Sequence, residues 1–220
     1  MNEYVKIPNI FKRYTDGPNK NKLIEGEAST PEIDYLCNAE WVWSEKVDGT
    51  NIRILWDGYR VSFMGRTEKT QIPQDLQQKL DEMFGGEARE EVFERIFGDK
   101  ITVLYGEGYG GKIQKHGDLY GDTNFILFDV VVNGYWLDRE NVEDIAKTFD
   151  IDVVPIVGQG SLRKAVEYVR EHPKSRLRDY EMEGVVARPK TMLFDKSGKP
   201  IMTKIKCRDF ERTGDMAWEP

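Results

Sequence analysis

Glu45-Lys46-Val47-Asp48-Gly49-Thr50-Asn51 sets one lysine into an otherwise apolar run, between Trp41-Val42-Trp43 and Ile52-Arg53-Ile54-Leu55-Trp56. Desolvating an ammonium is costly, so a lysine kept in such surroundings points to use as an amine. Asp48-Gly49 suits a turn that presents the side chain at the end of a strand. Four later segments repeat the oddity of charge inside strand-like runs: Gly65-Arg66, Leu104-Tyr105-Gly106-Glu107-Gly108, Glu183-Gly184-Val185-Val186-Ala187-Arg188 and Lys204-Ile205-Lys206. Five ionic insertions add little to a core, whereas a site for a polyanion needs them.

Working outward, Trp41–Glu45, Ile52–Trp56 and Arg60–Met64 read as strands, and Asp57-Gly58 between the last two reads as a tight hairpin. Leu76, Leu80 and Met83 or Phe84 recur at helical spacing over Pro73–Phe84. A second helix is expected over Glu87–Phe97, with Val92, Ile96 and Phe97 inward. Strands follow at Ile101–Tyr105 and Phe125–Val132, the latter closed by Asn133-Gly134. The glycines from Gly106 to Gly121, interleaved with Lys112, Lys115 and His116, read as a flexible basic loop. Asp138 is expected to cap a helix over Arg139–Phe149, and Ser161 one from Leu162 to about Glu171, ended by Pro173. Gly184–Arg188 and Ile201–Cys207 pair around Lys196-Ser197-Gly198-Lys199.

Residues 1–40, with scattered charges and prolines, are expected to form an N-terminal arm or peripheral loops packed on a catalytic domain over 41–207. Residues 208–220 read as a short polar tail. Hairpins with helices inserted between groups of strands indicate an α+β domain on a curved antiparallel sheet. No Rossmann glycine fingerprint and no P-loop is present, so a nucleotide must be held by another device.

The 220 residues carry 39 acidic and 32 basic side chains, a net charge of −7, which argues against nonspecific coating of nucleic acid. A compact basic patch in an acidic molecule still focuses a phosphate. Cys37 and Cys207 are too few for a disulfide scaffold and fit buried thiols in a reducing cytosol. No apolar run is long enough to span a bilayer, and Met1–Ile10 lacks the core of a signal peptide. A cytoplasmic protein, monomeric and with no membrane partner, is expected.

Lys46 is the candidate nucleophile toward an α-phosphate. Free lysine titrates near about 10.4, so nearby cations are needed to favour the neutral amine. Lys204 and Lys206, two apart in a strand, point the same way, and two like charges side by side call for an anion between or beyond them. Glu107 and Glu183, each beside a glycine at a strand end, are candidates for ribose hydroxyls or Mg²⁺. A glycosidase reading of that carboxylate pair leaves the three lysines unexplained. Arg66 is a ribose or phosphate candidate. Phe125, Phe128 and Tyr105 could each stack on a base. His116 and His172 have no partnering nucleophile pattern.

The ordered set resembles the covalent nucleotidyltransferases, the superfamily of ATP-dependent DNA ligases, RNA ligases and mRNA capping enzymes. Lys46-Val47-Asp48-Gly49 is similar to the nucleophile motif, and Arg66 to the arginine that follows it. Tyr105-Gly106-Glu107-Gly108 is similar to the central glutamate motif, and Phe125-Ile126-Leu127-Phe128-Asp129 to the aromatic strand beside the base. Glu183-Gly184-Val185-Val186 and Lys204-Ile205-Lys206 resemble the last two motifs. Thr50-Asn51 brings the chain nearest to RNA ligases of the phage T4 second-ligase type.

The resemblance implies an ATP-grasp-like adenylation domain that uses ATP and Mg²⁺, with Mn²⁺ able to stand in. It implies an RNA repair ligase: Lys46 takes AMP, AMP passes to a 5′-phosphate end, and a 3′-hydroxyl displaces it. In that scheme Glu45 and its backbone help read adenine, Arg66 contacts the ribose region and Glu107 holds ribose. Phe128 stacks on the base, with Phe125 the register-shifted alternative. Glu183 supports the metal, and Lys204 and Lys206 hold the α-phosphate. The stretch after Lys206 is too short for the OB or helical domains of the larger ligases, so the N-terminal arm, the Gly106–Gly121 loop or an accessory protein is expected to engage nucleic acid, RNA ahead of DNA. The alternatives are a minimal DNA ligase, an end-binding protein without turnover, and AMP transfer to a protein or small molecule.

Overall fold

Trp41-Val42-Trp43-Ser44-Glu45 alternates buried and half-buried side chains, as a strand with one covered face must. The same alternation recurs around it in the computed structural model, which describes residues 3–210. In chain order the elements are β1 (Phe11–Arg13), β2 (Leu23–Ala28), α1 (Pro31–Tyr35), β3 (Trp41–Glu45), β4 (Thr50–Trp56), β5 (Val61–Met64), α2 (Gln74–Phe84), α3 (Glu87–Phe97), β6 (Thr102–Tyr109), β7 (Asn124–Val132), β8 (Tyr135–Trp136), α4 (Arg139–Phe149), β9 (Ile156–Gly160), α5 (Leu162–Arg170), β10 (Gly184–Pro189) and β11 (Thr203–Lys206). Among the described residues they fall into two compact units, one of Asp48–Val154 with Glu3 and Tyr4, the other of Val5–Val47 and Pro155–Phe210.

The inserted unit holds a five-stranded antiparallel sheet in the order β5-β4-β6-β7-β8. Helices α2, α3 and α4 cover one face through Leu76, Leu80, Phe84, Phe93, Phe97, Val142 and Phe149, which pack on Ile52, Ile54, Trp56, Leu104 and Phe125. Val92, Ile96 and Phe97 of α3 pack on this core as expected, and beside them Phe93 is completely buried. The Phe93 ring lies 5.7 Å from Trp56 and 4.5 Å from Phe149, a contact the larger aromatic makes better than a valine can. The expected hairpins at Asp57-Gly58 and Asn133-Gly134 join β4 to β5 and β7 to β8.

The other unit holds a four-stranded antiparallel sheet, β11-β10-β3-β9. Its inner face carries Trp41, Trp43, Val185, Ala187 and Ile205 against Leu162, Ala165, Val166 and Val169 of α5. Asp138 and Ser161 cap α4 and α5 through their side chains, as expected.

Three expectations change. The N-terminal stretch read as loops contains β1, β2 and α1, and its Ile10, Phe11 and Ile33 are buried in the same cluster as Trp41 and Val185. Short strands interrupted by charge carry too little periodicity to be seen locally. Strand β9, over Ile-Val-Gly-Gln-Gly, is a further element that the sequence pattern does not announce, because two glycines interrupt it. The polar tail begins later than expected, since Phe210 is buried against Phe11 and beneath the Arg170 guanidinium. The rest of that tail, 211–220, lies outside the described residues.

Candidate active site

On β3, β10 and β11 the residues that do not face α5 share the opposite face. Register pairs Val186 with both Ser44 and Lys204, Arg188 with Val42, and Gly184 with Lys206. Period-two geometry therefore places Lys204 and Lys206 beside each other and beside the end of β3, where Lys46 follows. The Lys46 N–H donates to the Gly184 carbonyl at 2.9 Å, so the strand pairing runs one residue past β3 and brings the nucleophile candidate alongside Glu183.

Glu183 joins two of the lysines. Lys46 Nζ lies 2.6 Å from its Oε2 and Lys206 Nζ 2.6 Å from its Oε1. Burial pushes the Glu183 carboxyl up, but the ammonium groups of Lys46 and Lys206 outweigh it and hold the carboxyl below its ordinary value. This is a compact charge cluster: two cations bracket one anion, and Lys204 stands two residues from Lys206 on the same face.

Glu45 goes elsewhere. One residue before Lys46, it points to the inner face and is 1% exposed. Its carboxylate accepts from the Ser175 hydroxyl and from the Arg176 N–H at 2.8 Å. Its N–H donates to the Pro155 carbonyl at 2.9 Å, and its side chain acts as an anchor that ties the end of β3 to the 175–178 turn.

In the inserted unit, Asn51 and Arg53 of β4 lie opposite Glu107 and Tyr105 of β6. Gly49 leads into this row. A Cβ there would meet the Gly108 carbonyl and Glu107 Cγ, so the turn after Lys46 needs glycine. A register shift at Tyr105/Gly106 puts a bulge in the β6–β7 pairing. It brings Phe128 onto the face of Tyr105, Leu55 and Val103, away from the helices. Phe125 sits instead in the helix-covered core at 1% exposure. Of the two register choices, Phe128 has the open face.

Tyr4 lies edge-on to Phe128 at 4.9 Å and donates its hydroxyl to Asp129 at 2.5 Å. Arg66 is exposed just past β5. The fully buried Arg53 supports it from below, its Nε–H donating to the Gly65 carbonyl at 3.0 Å. Asn51 Oδ1 and the two terminal nitrogens of Arg53 are buried with no hydrogen-bond partner among the described residues, which suits a face completed by a polar ligand.

The glycine-rich stretch is not a free loop. Its first four residues belong to β6, where Gly106 and Gly108 leave no room for a Cβ against Phe125 and Leu76. The remainder packs on the turn after Lys46: the Asp48 N–H donates to the Tyr120 hydroxyl at 3.1 Å, and Gln114 Nε2 to the Gly49 carbonyl at 2.9 Å. Gln114 holds φ +135°, a backbone region that L residues rarely adopt. Sequence spacing carries no sign of these two supports, because each contact spans more than sixty residues. Lys112, Lys115 and His116 are exposed.

For a divalent cation the donor set is sparse. No group of three or more His, Cys, Asp or Glu converges among the described residues. Glu183 is a single carboxylate, which fits an ion such as Mg²⁺ that keeps its waters and takes phosphate oxygens as its other ligands. Among the described residues no helix is long and apolar enough to cross a membrane.

A lysine-bearing strand end, a carboxylate between two lysines and an aromatic sheet face are the parts of a covalent nucleotidyltransferase. The RNA ligase family matches residues 39–206, and the chain belongs to that family. Among solved structures it is similar to the Naegleria gruberi RNA ligase. A variant of that enzyme with ATP and Mn gives a TM-score of 0.61 at 18% identity, over 80% of this chain and 51% of that one. The same enzyme with PPi gives 0.61 at 18%, over 80% and 52%. A variant with AMP and Mn gives 0.60 at 17%, over 80% and 52%. The chain thus spans about half the length of the solved proteins it matches, and at this identity the likeness is one of fold.

Proposed function

We propose that the chain is an ATP-dependent RNA ligase that works through a covalent lysyl-AMP. The observation that carries this reading is the placement of Lys46, Lys204 and Lys206 on one face of one sheet, with the Glu183 carboxylate 2.6 Å from two of them. Membership of the RNA ligase family and similarity to a protein solved with ATP, AMP and Mn support the choice of ATP, a divalent metal and RNA ends.

In this reading Lys46 Nζ loses a proton to solvent and attacks the α-phosphorus. A P–N bond forms as the P–O bond to pyrophosphate breaks. Lys204 and Lys206 stabilise the charge that develops on the phosphoryl oxygens. Glu183 holds the Lys46 amine in place before attack and hands it over as phosphate arrives. Glu183 would hold a Mg²⁺, which would supply charge neutralisation on the polyphosphate. Arg66 and Glu107 take the ribose and Phe128 stacks on the base. The adenylyl group then passes to a 5′-phosphate end, and a 3′-hydroxyl displaces AMP to seal the strand.

The test is incubation with α-labelled ATP or GTP and Mg²⁺, comparing wild type with Lys46→Ala. Label that survives denaturation and is released by hydroxylamine is expected on wild type, with ATP only. Absence of label on wild type overturns the reading. Sealing assays with nicked RNA, nicked DNA and single-stranded 5′-phosphorylated RNA then set the acceptor, and sealing of DNA alone overturns the choice of RNA.

A further inference from the structure

The loop that joins β10 to β11 is a cationic hairpin closed by its own hydrogen bonds. Asp195 accepts from the Ser197 N–H at 2.7 Å, the Ser197 hydroxyl at 2.7 Å and the Lys199 N–H at 3.0 Å. The backbone closes on itself through Asp195 N–H to Lys199 O at 2.8 Å and Ile201 N–H to Leu193 O at 2.8 Å. Gly198, at φ +78°, makes the turn. Asp195 is thus spent on internal bonds, while Lys190, Lys196 and Lys199 are exposed and Phe194 is 45% exposed. Three lysines against one aspartate make this a local positive site on a chain of net charge −7.

Its position gives the charge a direction. Arg188, Lys204 and Lys206 lie on the outer face of the two strands that the hairpin joins, and Lys190 continues the parity of Arg188. At about 3.3 Å per residue, the cationic line from Lys206 to the hairpin is on the order of 20 Å long. Such a line matches an extended polyanion. Phe194 adds the exposed ring on which a base of any kind can stack. With Leu193, 38% exposed, it makes two exposed large apolar side chains on the hairpin, far too little for a stable protein interface.

We propose that the Lys190–Lys199 hairpin is a nucleic-acid contact that holds the RNA strand on the order of 20 Å from the sealing end, with phosphates on Lys196 and Lys199 and a base on Phe194. The proposal rests on the ligase reading for its substrate. None of these residues belongs to the adenylylation machinery.

The experiment uses the full chain and an end-labelled single-stranded RNA titrated by fluorescence anisotropy over a range of salt. The variants are Lys196→Ala/Lys199→Ala and Phe194→Ala, with label transfer from ATP measured in parallel. The double lysine variant is expected to flatten the plot of log affinity against log salt by about 0.7 per lost phosphate contact. Phe194→Ala is expected to weaken binding at least about fivefold. Strands too short to reach the hairpin should bind all proteins alike, and the rate of self-adenylylation and the thermal midpoint should not change. An unchanged salt slope and affinity on long strands overturns the proposal, as does an equal loss on short ones. Loss of anionic-vesicle binding with RNA binding intact overturns it in favour of a membrane surface. A wild type that takes no AMP sinks the ligase reading by itself, and the isotherms still decide the hairpin.

Discussion

Replacing Lys46 by methionine removes one of the two ammonium groups that bracket Glu183 and refills most of the volume. Lys46 and Glu183 side chains are 23% and 15% exposed, and Lys206 keeps its own contact at 2.6 Å. At about 3 Å and an effective dielectric near 20, the gross attraction lost is about 5 kcal/mol. Desolvation of both groups offsets much of this, and a hydrogen bond to a charged partner is worth about 1.5–3 kcal/mol net. Lys46→Met should therefore lose about 1.5–3 kcal/mol near neutral pH, read as a fall of roughly 3–12 °C in thermal midpoint for a chain of this size.

The sign of the pH dependence follows from the carboxyl, which is held below its ordinary value of 4.5. The unfolded chain binds the proton more readily than the folded one. The stabilisation is complete above the unfolded value and is lost as pH falls through the lower folded value. The gap between wild type and Lys46→Met should thus be full near neutrality and close as the solution is acidified below 4.5. Lys46→Arg keeps the charge and should melt close to wild type, yet form no adenylate. Melts of the three proteins across pH, with label transfer from ATP in parallel, check the whole set. A Lys46→Met protein as stable as wild type at neutral pH, or a gap that persists in acid, would refute the charge triad as drawn.

Glu45→Ala leaves the Ser175 hydroxyl and the Arg176 N–H without their acceptor, so a loss of about 1–3 kcal/mol in a denaturant melt is expected, together with slower adenylylation. Gln114→Ala and Tyr120→Phe release the turn that follows Lys46, and each should slow label transfer by about tenfold, one hydrogen bond's worth of positioning, with little change in midpoint. Gly106→Ala forces a methyl against the Phe125 ring and the Ile126 carbonyl, and overpacking of about 1–3 kcal/mol should appear as a lower denaturation midpoint.

The strands that carry Lys46, Lys204 and Lys206 were legible because period-two alternation fixes sidedness. Once Trp41 and Trp43 face inward, Lys46 must face outward, and the same parity that makes Lys46 available hides Glu45. Sequence resemblance grouped those neighbours, but strand geometry separates their side chains. Phe128 against Phe125 turned on a bulge, which shifts parity by one and leaves no mark in composition. Gln114 and Tyr120 were out of reach for another reason. Their partners are backbone groups of Gly49 and Asp48, which every residue possesses, so no side-chain pattern announces them. The glycines at Gly106 and Gly108 looked like loop residues because the same lack of a side chain serves both mobility and close packing.

Strand β3 sits between β10 and β9, and both partners are encoded after the 107 residues of Asp48–Val154. As the polypeptide leaves the ribosome at about 5–20 residues per second, β3 waits on the order of 5–20 seconds with both edges bare. The inserted segment has its strands and helices in hand well before then. Its closure also brings the two ends of the interruption together, so the late strands meet β3 at a shortened entropic distance. The order of synthesis thus leaves the strand that leads into Lys46 as the last central piece to be paired, and its amine meets the Glu183 carboxylate only after residues 48–182 have been made.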